Sequence, residues 1–153
     1  MKGKRLKKVY FKPLDESNEK LVREVTLKSD QRNFIETVDE CLREAKEYKQ
    51  WQPVAIYHNE DFIGFAMYGS FGPNRYTWID RIMIDQKYQG RGLGKEAMKI
   101  LIKQVSEEYK VDVFYLSIIE ENKVAEHLYK QIVFKYINEK DSNGKLIFKY
   151  TVH

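Results

Sequence analysis

The spacing of apolar positions changes several times along this chain, and each change marks an element. Leu6 to Lys12 reads as a strand, stopped by Pro13. Ser17 to Leu27 reads as a helix, with Leu21, Val22 and Val25 as its apolar positions behind a serine suited to capping. Asn33 to Lys49 predicts a second helix, with Phe34, Val38, Cys41, Leu42 and Ala45 on one face. Its acids, among them Glu36, Asp39 and Glu40, read as a solvated face. Residues 53–69 form two strands about a turn at His58 to Glu60, a hairpin. A loop, GSFGPNR, follows. The strand YTWIDRIMID then carries apolar residues on both faces of its second half. From about Gly92 to Tyr109 a long amphipathic helix is expected, then a buried strand in VDVFYLSII. A short helix from Glu121 to Ile132 and a closing hairpin turned at Asn143-Gly144 complete the chain. The order is β-α-α-β-β-β-α-β-α-β-β. It predicts an α/β fold of the α+β kind, a mixed sheet with helices on its faces and a parallel crossover from Tyr76 to Ile118.

The 153 residues show no internal repeat, low-complexity segment or linker, which predicts one domain spanning 1–153. With 42% apolar and 14% aromatic residues, the chain has enough apolar surface to fold. The formal net charge of +4 favours anionic ligands. Much of the excess is local, in Lys2, Lys4, Arg5, Lys7, Lys8 and Lys12, which reads as a solvated or guarded strand. No nucleic-acid motif accompanies it, so no nucleic-acid partner is expected. The single Cys41 excludes an intramolecular disulfide, and no Cys/His cluster has metal-ligand spacing, so no metal is expected. A secretory leader and a membrane-spanning apolar run are both missing from the pattern, which predicts a cytoplasmic protein with no membrane partner.

The strongest chemical signal is Gln89-Gly90-Arg91-Gly92-Leu93-Gly94, a glycine-rich turn between a strand and a helix. Glycines leave backbone N–H groups uncovered, and the first turn of a helix has unpaired donors and partial positive charge. Together they make a cradle for phosphate oxygens, with Arg91 and Lys95 adding full charges. The turn lacks the closing Lys-Ser/Thr of a P-loop and the glycine spacing of a dinucleotide fingerprint. Tight helix–strand packing is the competing explanation.

That hexapeptide resembles the Gln/Arg-x-x-Gly-x-Gly/Ala signature of the GNAT superfamily, the GCN5-related N-acetyltransferases. WIDRIMIDQKYQG is similar to that family's fourth strand, and ENKVAEHLYKQIVF to its later Asn-x-x-Ala-x-x-Leu-Tyr segment. Three stretches, FIETVDECLREAKEYKQWQPVAIY, IGFAMYG and YQGRGLGKEAMKILI, resemble the bacterial spermine/spermidine branch. One departure stands out. The family continues Leu-Tyr with Gly-Phe, and here the pair is Val133-Phe134, where a left-handed helix end would suit glycine.

The resemblance implies a GNAT fold, acetyl-CoA as cosubstrate, and acetyl transfer to a primary amine of spermine or spermidine by direct attack in a ternary complex. It implies that Gln89 and Gly90 to Lys95 (Gly90, Arg91, Gly92, Leu93, Gly94, Lys95) hold the pyrophosphate, and that the backbone of Ile82, Met83 and Ile84 pairs with the pantetheine arm like an added strand. Asn122, read from the residues alone as an N-cap, gains a coenzyme contact. Tyr129, two helical turns later, becomes the acid for the leaving thiolate. Asp80 is the candidate to bind or deprotonate the amine, its competing role being an ion pair with Arg81 or a lysine. Glu36 is assigned amine binding. A homodimer is compatible with this reading. The alternatives are another acceptor (a protein N-terminus, a lysine or an amino sugar) and a non-catalytic acyl-CoA sensor.

Overall fold

The computed structural model describes residues 8–25 and 38–152. Its elements follow the expected order: β1 (Val9–Pro13), α1 (Glu19–Arg23), α2 (Val38–Glu47), β2 (Trp51–His58), β3 (Asp61–Phe71), β4 (Tyr76–Ile84), α3 (Leu93–Tyr109), β5 (Val113–Ile118), α4 (Lys123–Gln131), β6 (Lys135–Lys140) and β7 (Leu146–Thr151). The strands form one sheet in the order β1-β2-β3-β4-β5-β7-β6. β4 and β5 run parallel, and the other neighbours are antiparallel.

Alternation along the strands builds two apolar layers. On one face Ala55, Phe65, Met67 and Met83 meet Val22 of α1 and Val38, Cys41 and Leu42 of α2. On the other, Ile56, Ile63, Ala66, Ile79, Phe114, Leu116 and Phe148 meet α3, whose Leu93, Ala97, Met98, Leu101, Ile102 and Val105 fall at helical spacing and are all buried. Removing one such side chain, as in Leu101→Ala, costs about 2–5 kcal/mol by transfer and cavity terms. Ala125, Leu128 and Tyr129 of α4 pack against the same layer.

Several boundaries differ from expectation for local reasons. Before α1, Asp15 accepts from the backbone N–H groups of Ser17 (2.8 Å) and Asn18 (3.2 Å), so the cap position falls on Asn18 rather than Ser17. Asn18 is 1% exposed and its amide donates to the Pro13 carbonyl at 3.1 Å. β3 runs on to Phe71, because Gly69, Ser70 and Phe71 continue the ladder opposite Trp78, Thr77 and Tyr76. The stretches 26–37 and 1–7, which hold Leu27, Phe34 and the expected amine contact Glu36, lie outside the described residues.

Two features of β4 position everything that follows. Its ladder with β3 steps from Met67↔Arg81 to Tyr68↔Ile79, which leaves Asp80 as an inserted residue, a β-bulge. Its parallel ladder with β5 holds only Thr77↔Phe114 and Trp78↔Tyr115. Beyond them β4 stays with β3 up to Ile84 while β5 stays with β7 up to Ile118. The two central strands therefore part in the middle of the sheet, and among the described residues the β5-facing edge of Ile82 to Ile84 has no strand partner.

Candidate active site

At the end of β4, Asp85 accepts from the N–H of Lys87 at 3.2 Å and starts a short 3-10 turn, Gln86–Tyr88. The Gln89 amide then donates to the Ile84 carbonyl at 2.8 Å, tying the loop back to the strand it left. Gly90 and Gly92 adopt left-handed backbone, with φ of 82° and 75°. A Cβ at either position would meet nothing within 4 Å, so no packing demand explains these glycines. Gly94, by contrast, faces Ile84, whose Cγ1 lies 3.6 Å from a Cβ placed there. α3 starts at Leu93, and the N-cap residue Gly92 offers no side chain to cap it. The first-turn N–H groups thus face the open space that the glycines leave clear, with the positive end of a 17-residue helix behind them. This cradle fits a phosphate, while the left-handed backbone by itself also favours glycine at both positions.

A cavity of about 400 Å³ runs from the cradle along β4 to the gap between the central strands. Of the residues expected from sequence, Asp80, Ile82, Met83, Ile84, Gln89, Gly90, Gly92, Leu93, Gly94, Lys95, Asn122 and Tyr129 line it. Arg91 stands beside it, with its guanidinium over the Tyr88 ring at 5.6 Å and near the Lys87 carbonyl at 3.5 Å. Arg81, Ser117 and His127 also line the cavity and were not expected.

α4 supplies one wall. Asn122, 8% exposed, caps it by accepting from the Ala125 N–H at 3.2 Å, so the capping role read from the sequence is present. Tyr129 packs its ring on Phe134 at 5.9 Å between centroids. The residue as a whole keeps some exposure, but protein crowds its hydroxyl, and that burial pushes its pKa up from 10.0 to about 12. The charge of Arg81 works against this shift and that of Asp80 adds to it, so both groups sense the phenol.

Asp80 and Arg81 come together because of the bulge. Simple alternation would put consecutive residues on opposite faces. With one residue inserted, Ile79 still faces the α3 layer, Ile82 returns to it, and the two charged residues share the α1/α2 side. Their side chains are 22% and 8% exposed and the Nε to Oδ2 distance is 3.5 Å. The ion pair weighed for Asp80 is thus real, and it sits within the cavity rather than apart from it.

A cradle for phosphate, an unpaired strand edge leading from it, and an acid and a phenol at its far end suit transfer of an acyl group from a long phosphorylated carrier. The profile of the acetyltransferase (GNAT) family matches residues 19–133. The chain belongs to the GNAT family. It is an acetyl-CoA-dependent N-acetyltransferase, and the fold anticipated from the signature is the one observed. Among curated relatives, the spermine/spermidine N(1)-acetyltransferase of Bacillus subtilis (strain 168) is 37% identical over 145 residues, covering 91% of this chain and 95% of that protein. Among solved structures, the spermidine N-acetyltransferase from Vibrio cholerae, in complex with CoA and spermine, superposes with a TM-score of 0.71 at 13% identity over 92% of each chain. The ribosomal-protein-S18-alanine N-acetyltransferase from Escherichia coli gives 0.66 at 16% identity over 95% of this chain and 94% of its own. The GNAT fold therefore accompanies unlike acceptors, and the acceptor must be argued from the site. Among the described residues no group of acids, histidines and cysteines is arranged to hold a metal, and no helix is long and apolar enough to cross a membrane.

Proposed function

We propose that this acetyltransferase acts on a primary amine of spermine or spermidine. The observation that carries the acceptor class is the 37% identity, along 91% of the chain, with a relative named for those two amines. The position of Asp80 supports it. An alkylammonium has a pKa near that of lysine, about 10.4, and so arrives charged. Asp80 offers a carboxylate where the sheet opens, on the face opposite α3. When bound, acetyl-CoA supplies the thioester acyl group. The N–H groups from Gly90 to Lys95 hold its pyrophosphate, and the free edge of Ile82 to Ile84 aligns its extended arm. Because β4 and β5 part, the cavity joins the two faces of the sheet. Cosubstrate and amine can then meet from opposite sides, which favours direct attack in a ternary complex.

Asp80 fixes the ammonium and, directly or through water, takes its proton. Tyr129 keeps its own proton at neutral pH, since burial holds it neutral up to about 12. It is therefore suited to donate to the departing thiolate and unsuited to act as a base. Arg81, close to both, steadies negative charge as it forms on that side of the cavity. The test is steady-state kinetics with spermine, spermidine and a lysine peptide, with product mass detected, in the parent and Asp80→Asn. Preference for the polyamines is expected, with Asp80→Asn lowering kcat/KM for spermine most at neutral pH and least where free amine is abundant. Equal efficiency on all three acceptors, or no acetylated polyamine, overturns the acceptor class.

A further inference from the structure

On the half of the sheet face carrying Asp80 that α1 and α2 leave uncovered among the described residues, three aromatic rings belong to neither apolar layer. Tyr76, Trp78 and Asp80 share that face by alternation along β4, and the parallel register sets Tyr115 beside Trp78. The Trp78 and Tyr115 rings lie 5.3 Å apart and those of Tyr76 and Tyr115 6.1 Å apart. Tyr76 is 53% exposed, and the other two are half-buried. α1 and α2 pack over β3 and β2, to one side of this row.

We infer that Trp78, Tyr115 and Tyr76 form a shelf that seats the second ammonium of the acceptor and the methylenes leading to it. The inference rests on the polyamine reading and assigns it a subsite. Ring faces attract alkylammonium groups, and their apolar surface suits the carbon chain between the charges. The spacing agrees. One pleat repeat from Asp80 to Trp78 is about 6.6 Å, comparable to the span of a diamine with three or four methylenes. With one amine at Asp80, the next nitrogen falls over Trp78 or Tyr115.

The surroundings give the shelf a direction. Lys149 is in register with Tyr115, and Lys135 with Lys149, so the β7 side of the shelf is cationic. A polycation is turned away from that side and runs back along β4 toward Tyr76. The competing explanation is that the rings only brace the short β4–β5 ladder, as cross-strand pairs do.

The experiment compares Trp78→Leu, Tyr115→Leu and Trp78→Phe with the parent, all checked for unchanged melting temperature, on spermine and on propylamine. A monoamine has no second charge to seat. The kcat/KM ratio of spermine to propylamine should fall roughly 5- to 30-fold in the leucine variants, mostly through the spermine KM, and Trp78→Phe should retain most of it. A parent that acetylates spermine, with that ratio unchanged in both leucine variants, overturns the shelf and leaves the acceptor class standing. Equal losses on both amines overturn it in favour of bracing. A parent inert toward polyamines removes the acceptor class itself and the shelf with it.

Discussion

Left-handed backbone occurs at the start of α3 and just after the end of α4, and the two sites solve the problem differently. Gly90 and Gly92 have φ of 82° and 75°. Val133 has φ of 78°, and a β-branched residue there costs roughly 1–2 kcal/mol. Both sites bend the chain sharply. At α4 the bend itself is what matters: the N–H groups of Ile132 and Phe134 return to the Tyr129 carbonyl at 3.1 and 2.9 Å, and that of Val133 to Lys130 at 3.0 Å. The Val133 side chain points out, 55% exposed, and obstructs nothing. At α3 a Cβ on either glycine would enter open space beside the helix N-terminus, the space we propose a phosphate takes. A strained valine is tolerable where only a turn is required. Val133, the departure noted in the sequence, thus takes the left-handed backbone that would suit glycine and leaves Tyr129 in the cavity wall.

On the proposed function, α4 carries chemistry and the start of α3 carries binding, and mutation can break that division. The largest effect is expected from Tyr129→Phe. Loss of a general acid is typically worth about 10²–10⁴-fold, and it should appear in kcat with acetyl-CoA affinity intact. Parent-like turnover, with chemistry rate-limiting, would move the acid elsewhere. Gly92→Val should do the reverse. Each charge-assisted backbone bond lost is worth about 1.5–3 kcal/mol, so calorimetry should show acetyl-CoA bound roughly 10- to 100-fold more weakly by a folded protein. Unchanged affinity would make the turn structural.

Alkaline stability sharpens the α4 side. Tyr129 has a folded pKa raised to about 12 from 10.0. Below the unfolded value both states keep the proton and nothing is lost. As pH rises from there toward the folded value, the unfolded chain ionises first and stability falls. Tyr68 and Tyr109 are raised as well, chiefly by burial and then by Glu108, and act in the same direction. Tyr129→Phe should therefore retain more of its neutral-pH stability at high pH than the parent does, measured by denaturant titration. An identical decline would mean that the phenol is not shielded.

The parts of the site readable from sequence are those written in consecutive residues. The glycine turn, the strand leading into it, and the seven-residue step from Asn122 to Tyr129 are local, and helix geometry converts spacing into a shared face. What escaped notice depends on a partner strand. Alternation assigns Asp80 and Arg81 to opposite faces, and only the ladder with β3 reveals the inserted residue that unites them. The parting of β4 and β5 is likewise a matter of which neighbour each strand keeps, so Ser117 and Arg81 gave no signal as cavity residues. The cap of α1 falls on Asn18, one residue past the serine the pattern suggests, because Ser17 and Asn18 both serve a turn centred on Asp15.

The smallest effect tests the comparison most directly. Val133→Gly removes left-handed strain of roughly 1–2 kcal/mol, while a more flexible unfolded chain takes back about 0.4–1 kcal/mol. The net is a modest stabilisation, about 1 kcal/mol or less. It should appear as a higher denaturant midpoint at unchanged slope. Acetyl-CoA affinity and kcat should match the parent, because the Phe134 N–H still reaches the Tyr129 carbonyl whichever residue makes the turn. A stabilised variant with altered kcat would show that the strain itself positions Tyr129, and α4's end would then be as functional as α3's start. A destabilised variant would show that the exposed valine makes contacts worth more than the strain it carries, and the two turns would differ by packing rather than by what must approach them.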